Sequence, residues 1–156
     1  MKNINTFLKV WGSSLVIGAT LLGLELANPT KAQAQSMYNP IEITSSGQIN
    51  DTLSNKDIPT GQGGFARDYR INLKAGDQVA IDLTSEEFDT IITLIASDGI
   101  TIAENDDAPD GTTNSLLFVR IKEGQEGDYI IRVRSFGETG GGDFALNVAR
   151  LCECDE

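Results

Sequence analysis

The chain has 156 residues, with 23 acidic and 12 basic side chains, a net charge of −11 and no histidine. That charge argues against nucleic acid and anionic lipid surfaces as partners, because the electrostatic attraction such binding relies on has the wrong sign. The missing histidine excludes Ser-His-Asp and Cys-His nucleophile systems and the usual His-containing zinc sites.

The first element in chain order is a leader. Lys2 and Lys9 give a positive start, residues 10–24 form an uncharged apolar run of 15, and Ala32-Gln33-Ala34 is a small-x-small cleavage signal. This is the layout of a secretory signal peptide. Glu25 ends the run before the ~18 apolar residues that a membrane span needs. Cleavage is expected after Ala34, and no cysteine stands near that site to carry a lipid anchor. Removing 34 of the 156 residues leaves 122, enough for one domain with one core. Three basic residues and one acidic residue leave with the leader, so nine basic stand against 22 acidic in the mature chain, a net of −13. The only Trp, Trp11, also leaves. The expected layout is signal peptide 1–34, flexible lead 35–46, one β-domain 47–149 and a Cys-containing tail 150–156. The expected location is the periplasm or outside the cell, with no membrane insertion once the leader is cut.

Residues 41–44 and 48–53 are expected as the first strands, and 54–66, rich in Gly and turn formers, as a long loop. Alternation then becomes clean. In 68–73, Tyr69, Ile71 and Leu73 share one face, while Asp68, Arg70 and Asn72 share the other. After the turn at 74–77, Val79, Ile81 and Leu83 form a second inward row. A period of two marks half-buried strands. Residues 90–95 are apolar on both faces, as in a central strand, and Ser97-Asp98-Gly99 turns the chain into a returning strand at 100–103. An acidic loop, 104–114, follows. Leu117, Val119 and Ile121 form the next row, then Tyr129, Ile131 and Val133, and finally Phe144, Leu146 and Val148. No segment sustains a helical period. Eight to nine short strands separated by turns specify an all-β chain folded as an antiparallel β-sandwich. Of the aromatics, Tyr69, Phe88, Phe118, Tyr129 and Phe144 are expected in the core, and Tyr38, Phe65 and Phe136 on loops.

Three sets of carboxylates are candidate sites. The Asp98-Gly99 turn pairs Ile95 near Ile102 and Ile91 near Asp106, which brings Asp89 close to Asp106 and Asp107. Carboxylates meeting at one end of a ladder need compensation. Calcium could supply it, with Asn105, Asp110 and backbone carbonyls adding oxygens. Backbone N–H groups could supply it instead, through Asx turns. The second set is Asp68 with Asp57 or Asp51 from the preceding loop, again as calcium ligands or as loop caps. The third reading makes Asp106, Asp107 and Asp110 catalytic, as in a glycoside hydrolase pair, but such a pair needs an apolar pocket that this polar loop lacks. The Gly-rich runs at 61–64 and 140–142 open no helix and carry no P-loop Lys-Ser/Thr, so they are connectors and not phosphate cradles. The two cysteines, Cys152 and Cys154, leave three states open: a disulfide linking two copies, a strained local bridge, or free thiols.

Taken together, DYRINLKAGDQVAIDL, FDTIITLIASDGITIAENDD, GDYIIRV and GGGDFALNV resemble the bacterial pre-peptidase C-terminal domain, over roughly residues 47–148. The resemblance implies a jelly-roll-like sandwich that acts as a non-catalytic module, usually appended to secreted peptidases and other exported enzymes. Some members bind collagen or other polymers. Some relatives bind calcium through acids of the N-terminal linker and the Asp of the D-Y strand. That Asp is Asp68 here, and the lead Asn39-Pro40-Ile41-Glu42 offers Glu42 alone. The expected function is therefore an exported binding or accessory module that contacts a secreted enzyme, an envelope component or an extracellular polymer. A calcium-stabilised structural module is the alternative, and an acidic-pair hydrolase the third reading.

Overall fold

A computed structural model describes residues 38–151 except 45, 62, 138 and 139. The expected leader and the cysteine tail lie outside the described residues. Those residues hold ten strands and no helix. The strands are β1 (Ile41–Ile43), β2 (Gly47–Leu53), β3 (Ile58–Pro59), β4 (Phe65–Leu73), β5 (Gln78–Thr84), β6 (Thr90–Ala96), β7 (Thr101–Asn105), β8 (Ser115–Arg120), β9 (Gly127–Ser135) and β10 (Gly142–Leu151).

They form two sheets of a β-sandwich. One runs β1-β4-β9-β6-β7, with β3 paired to β4, and the other runs β2-β10-β5-β8. The period of two sends Tyr69, Ile71, Leu73, Val79, Ile81 and Leu83 into the space between the sheets, where each is almost fully buried. Ile131, Val133, Leu146 and Val148 meet them from β9 and β10. Each such side chain contributes about 1.5–3 kcal/mol through burial. Phe144 packs edge-on against both Tyr69 and Phe88, with ring centroids 6.4 and 6.3 Å apart. In β6 the run Thr90–Leu94 is buried on both faces, with Thr90 and Thr93 as its polar members.

Four expectations need correction. The loop at 54–66 contains β3 and the start of β4. Phe65 is therefore a strand residue packed against the core and not a loop aromatic. β1 pairs with β4 in parallel, so the sandwich is not wholly antiparallel. Phe118, expected in the core, is 63% exposed. It sits between the inward-facing Leu117 and Val119, and alternation turns it to the outer face of the four-stranded sheet.

Candidate functional site

The outer face of the six-stranded sheet carries an ion-paired row. Register aligns Asp68 of β4, Arg132 of β9, Thr93 of β6 and Glu104 of β7. The Asp68 side chain is only 1% exposed. Arg132 grips it with two parallel bonds, Nε to Oδ1 at 2.7 Å and Nη2 to Oδ2 at 2.8 Å. A planar guanidinium fits a carboxylate in this two-pronged way. The Tyr38 hydroxyl also donates to Oδ2 of Asp68. Burial and the Asp68 carboxylate push the Tyr38 hydroxyl up to about 12. The bonds to Asp68 raise Arg132 in turn, so it stays charged. At the other end of the row, Glu104 accepts from Thr93 Oγ1 at 2.7 Å and from Arg134 Nη2 at 3.0 Å. The Thr93 bond, aided by Arg134, holds Glu104 below its ordinary value.

A second network centres on Arg67. Its Nε and Nη2 lie 2.8 Å from Asp57 Oδ1, and its Nη1 pairs with Asp51. Asp57 also accepts the Ser54 backbone N–H at 2.7 Å, closing the loop before β3. Asp51 also accepts the Tyr69 hydroxyl and the Thr52 N–H, each at 2.8 Å. Burial pushes Asp51 up, but the Arg67, Thr52 and Tyr69 bonds outweigh it and hold the group below its ordinary range. Burial and the Asp51 contact raise Tyr69 strongly.

Asp57 and Asp68 therefore do not share a ligand set. They line one shallow groove of about 300 Å³ together with Tyr38 and Lys56, but each is committed to its own arginine. A divalent cation there would face two guanidinium groups.

The acidic end of the β6–β7 hairpin is organised differently. A register shift at Leu94/Ile95 leaves Ile95 opposite Thr101 and Ile92 opposite Asn105. Asn105 donates from Nδ2 to the carbonyls of Asp107 and Leu116, both at 2.7 Å, and accepts the Asp107 N–H at 3.2 Å. Asp110 Oδ1 accepts the Thr112 hydroxyl at 2.7 Å and the Thr112 N–H at 3.0 Å. Those bonds hold Asp110 below its ordinary value. The Asp89 carbonyl accepts the Phe136 N–H at 2.8 Å, and Asp106 borders a small cleft with Glu104, Arg134 and Phe136. Among the described residues no group of three or more Asp, Glu, Cys or His is gathered to hold a metal ion. Asp89, Asn105, Asp106, Asp107 and Asp110 thus do not converge. Asn105 and Asp110 spend their oxygens on loop N–H and hydroxyl groups.

A hollow of about 650 Å³ opens at the end of the four-stranded sheet between Asn50, Ser85, Glu86, Glu87, Asn114 and Asp143. Its rim is internally bonded: Glu87 accepts the Asp143 N–H at 3.1 Å, and Asp143 accepts the Thr52 hydroxyl at 2.6 Å.

With this geometry in hand, the family model of the bacterial pre-peptidase C-terminal domain matches residues 66–135. Over that span, 70 of the 156 residues, the chain is similar to the pre-peptidase C-terminal domain family. The matched segment begins at Ala66 in β4 and closes with β9, so it includes Arg67, Asp68 and Arg132 but not Tyr38, Asp51 or Asp57. The crystal structure of the pre-peptidase C-terminal domain of a Bacillus anthracis collagenase aligns with a TM-score of 0.52 at 15% identity, covering 71% of this chain and 95% of that one. The periplasmic inhibitor of g-type lysozyme from Aeromonas hydrophila, PliG, aligns with a TM-score of 0.49 at 15% identity, covering 70% and 96%. At 15% identity the likeness to the collagenase domain concerns the fold alone. No curated protein matches the chain.

Pre-peptidase C-terminal domains are non-catalytic accessory domains, and the chain is consistent with that role. Among its described residues no helix is long and apolar enough to cross a membrane. Sequence reasoning missed the two arginines that organise this domain's buried carboxylates. Arg132 lies 64 positions from Asp68, and only the β4–β9 register brings them together.

Proposed function

We propose that the chain is an exported, non-catalytic binding module that contacts a secreted enzyme, an envelope component or an extracellular polymer. The observation that carries this reading is the pre-peptidase C-terminal match at residues 66–135. Two features support it. Asp51, Asp57 and Asp68 are tied to Arg67 and Arg132, so none is poised as a proton carrier. Bulky apolar side chains stand in solvent instead, among them Phe118, Phe136, Ile100 and Ile102. The signal-peptide layout of residues 1–34 supports export, and Cys152 and Cys154 offer a route to a disulfide-linked pair outside the cytosol.

The test is co-sedimentation of the mature chain with isolated envelope material and with insoluble extracellular polymers, beside affinity capture from the secreted fraction. Saturable retention that heat-unfolded protein lacks is the expected result. Absence of retention, together with glycan or peptide hydrolysis that Asp106→Asn abolishes, would replace the binding reading with the hydrolase.

A further inference from the structure

We propose that the outer face of the β2-β10-β5-β8 sheet is a platform for one strand of an uncharged polysaccharide, with Phe118 as its stacking residue. This deepens the binding-module reading and rests on it. The face is defined by parity. β5 and β10 send Val79, Ile81, Leu83, Phe144, Leu146 and Val148 inward, so the residues between them point out.

Register sets these outward residues in rows. One row reads Gln48, Asn147, Asp82 and Leu116 across the four strands. The next reads Ala149, Ala80 and Phe118. On the other side of the first row, Asn50 and Thr84 flank Ala145. Alanines thus form a low floor, and the Phe118 ring, 63% exposed, rises from its edge. An aromatic ring beside a flat floor suits a sugar ring, whose C–H face is apolar and whose rim is polar. Gln48, Asn50 and Asn147 supply both donors and acceptors along the path, as neutral hydroxyl groups require. The amides are already ordered, with Gln48 Nε2 donating to Asn50 Oδ1 at 3.0 Å.

Charge selects the ligand class. The chain carries a net −11, yet these three rows hold one carboxylate, Asp82, and no basic side chain, with Asp143 and Arg120 on the same face one row beyond them at either end. Burial and the nearby charge of Asp110 raise Asp82. A polyanion is repelled by the protein as a whole, and a polycation gains little on this face. Size selects against a second copy. Strands ~4.8 Å apart and rows ~6.8 Å apart give a face on the order of 300–400 Å². A stable dimer needs about 800 Å² per partner. A narrow chain of linked sugars fits the smaller footprint.

The test is native affinity electrophoresis of the mature chain in gels containing hydroxyethyl cellulose, amylopectin or galactomannan, with polygalacturonate as the anionic control. Wild type should be retarded in at least one neutral gel. Phe118→Ala should weaken that retardation at least ten-fold, Asn147→Ala should weaken it less, and Phe136→Ala should leave it unchanged. Phe136 is 58% exposed but lies off this face. Thermal melts establish that each variant is folded. No retardation in any neutral gel, or equal retardation of Phe118→Ala, overturns the platform. So does Phe118-dependent binding to soluble collagen, or a Phe118-dependent dimer on size-exclusion chromatography. Saturable envelope retention that survives Phe118→Ala would remove the platform and leave the module reading standing. Loss of all retention would sink both.

Discussion

Breaking the Asp68–Arg132 pair from its two sides should give unequal losses. Arg132→Ala leaves the Asp68 carboxylate in a site where its side chain is 1% exposed, with Tyr38 as its remaining side-chain partner. Removing one member of a buried pair costs about 3–5 kcal/mol, because a desolvated charge is left behind. The Tyr38 bond places the expected value at the low end, about 3 kcal/mol. Asp68→Ala strands a guanidinium whose side chain is 34% exposed and can reach water. Its loss should be roughly 1.5–2 kcal/mol, the low end of the scale for charged hydrogen bonds. For a domain of this size, 1 kcal/mol shifts Tm by about 3–6 °C. Arg132→Ala should therefore melt about 10–15 °C below wild type and clearly below Asp68→Ala. Adding Asp68→Asn to Arg132→Ala should restore part of the loss, since the uncompensated charge goes. Urea titrations of the four proteins at neutral pH measure all three differences. Equal losses in the two single variants, or no recovery in the double, would refute the argument from burial.

Other outcomes follow from the same contacts. Tyr38 is raised from 10.0 to about 12, so the stability it adds is whole below pH 10 and declines as pH rises from 10 toward 12. Melts of Tyr38→Phe should depend less on pH in that window than wild type, and identical curves would contradict the assignment. Asp51 and Glu104 are held below their ordinary values, so their stabilisation is present above about pH 4–5 and is lost on further acidification. Asp51→Asn should flatten the acid limb of a Tm-against-pH curve. Excess calcium and a chelator should give the same Tm, because Arg67 and Arg132 already neutralise Asp57 and Asp68, and a native-state site would instead add stability by mass action. Ile81→Asp and Ile131→Asp each place a carboxylate at a fully buried position, and each should abolish cooperative melting by circular dichroism.

How much of this was legible depends on how local the information is. The inward rows follow from a period of two within single strands, and Tyr69 through Leu83 and Tyr129 through Val133 came out on the expected faces. β3 is two residues long, too short for any period to show, and β1, expected as a strand, is too short to reveal its parallel partner. Their pairing with β4 comes from tertiary contact. Phe118 was misplaced although its strand holds the answer. Leu117 and Val119 face inward, so Phe118 must face out, and the general tendency of strand aromatics to be buried pointed the wrong way. The surroundings of the carboxylates were hard to read for another reason. Asp57 with Asp68, and Asp106 with Asp107 and Asp110, are close enough in sequence to suggest clusters, but the partners of Asp57, Asp68 and Asp110 are Arg67, Arg132 and the N–H and hydroxyl of Thr112, which composition cannot assign.

The two outer faces carry little net charge for different reasons, and that difference bears on where a partner can sit. On the six-stranded sheet, charges are many but internally matched: Asp68 with Arg132, Glu104 with Arg134, and Glu42 with Arg70 at 3.0 Å. A ligand there would have to compete with bonds already made, and each displaced charge would need a new partner. On the four-stranded sheet the rows around Ala80 and Ala145 hold few charges. Contact there displaces water from amides, alanines and one phenyl ring. The unbalanced acids, such as Glu86, Glu87, Glu123 and Glu126, are exposed in the turns beyond the strand ends. They keep copies of the chain apart in solution without crowding either face. A neutral ligand on the four-stranded face would therefore bind with little dependence on salt, whereas a cationic partner held by the terminal loops would be released as ionic strength rises.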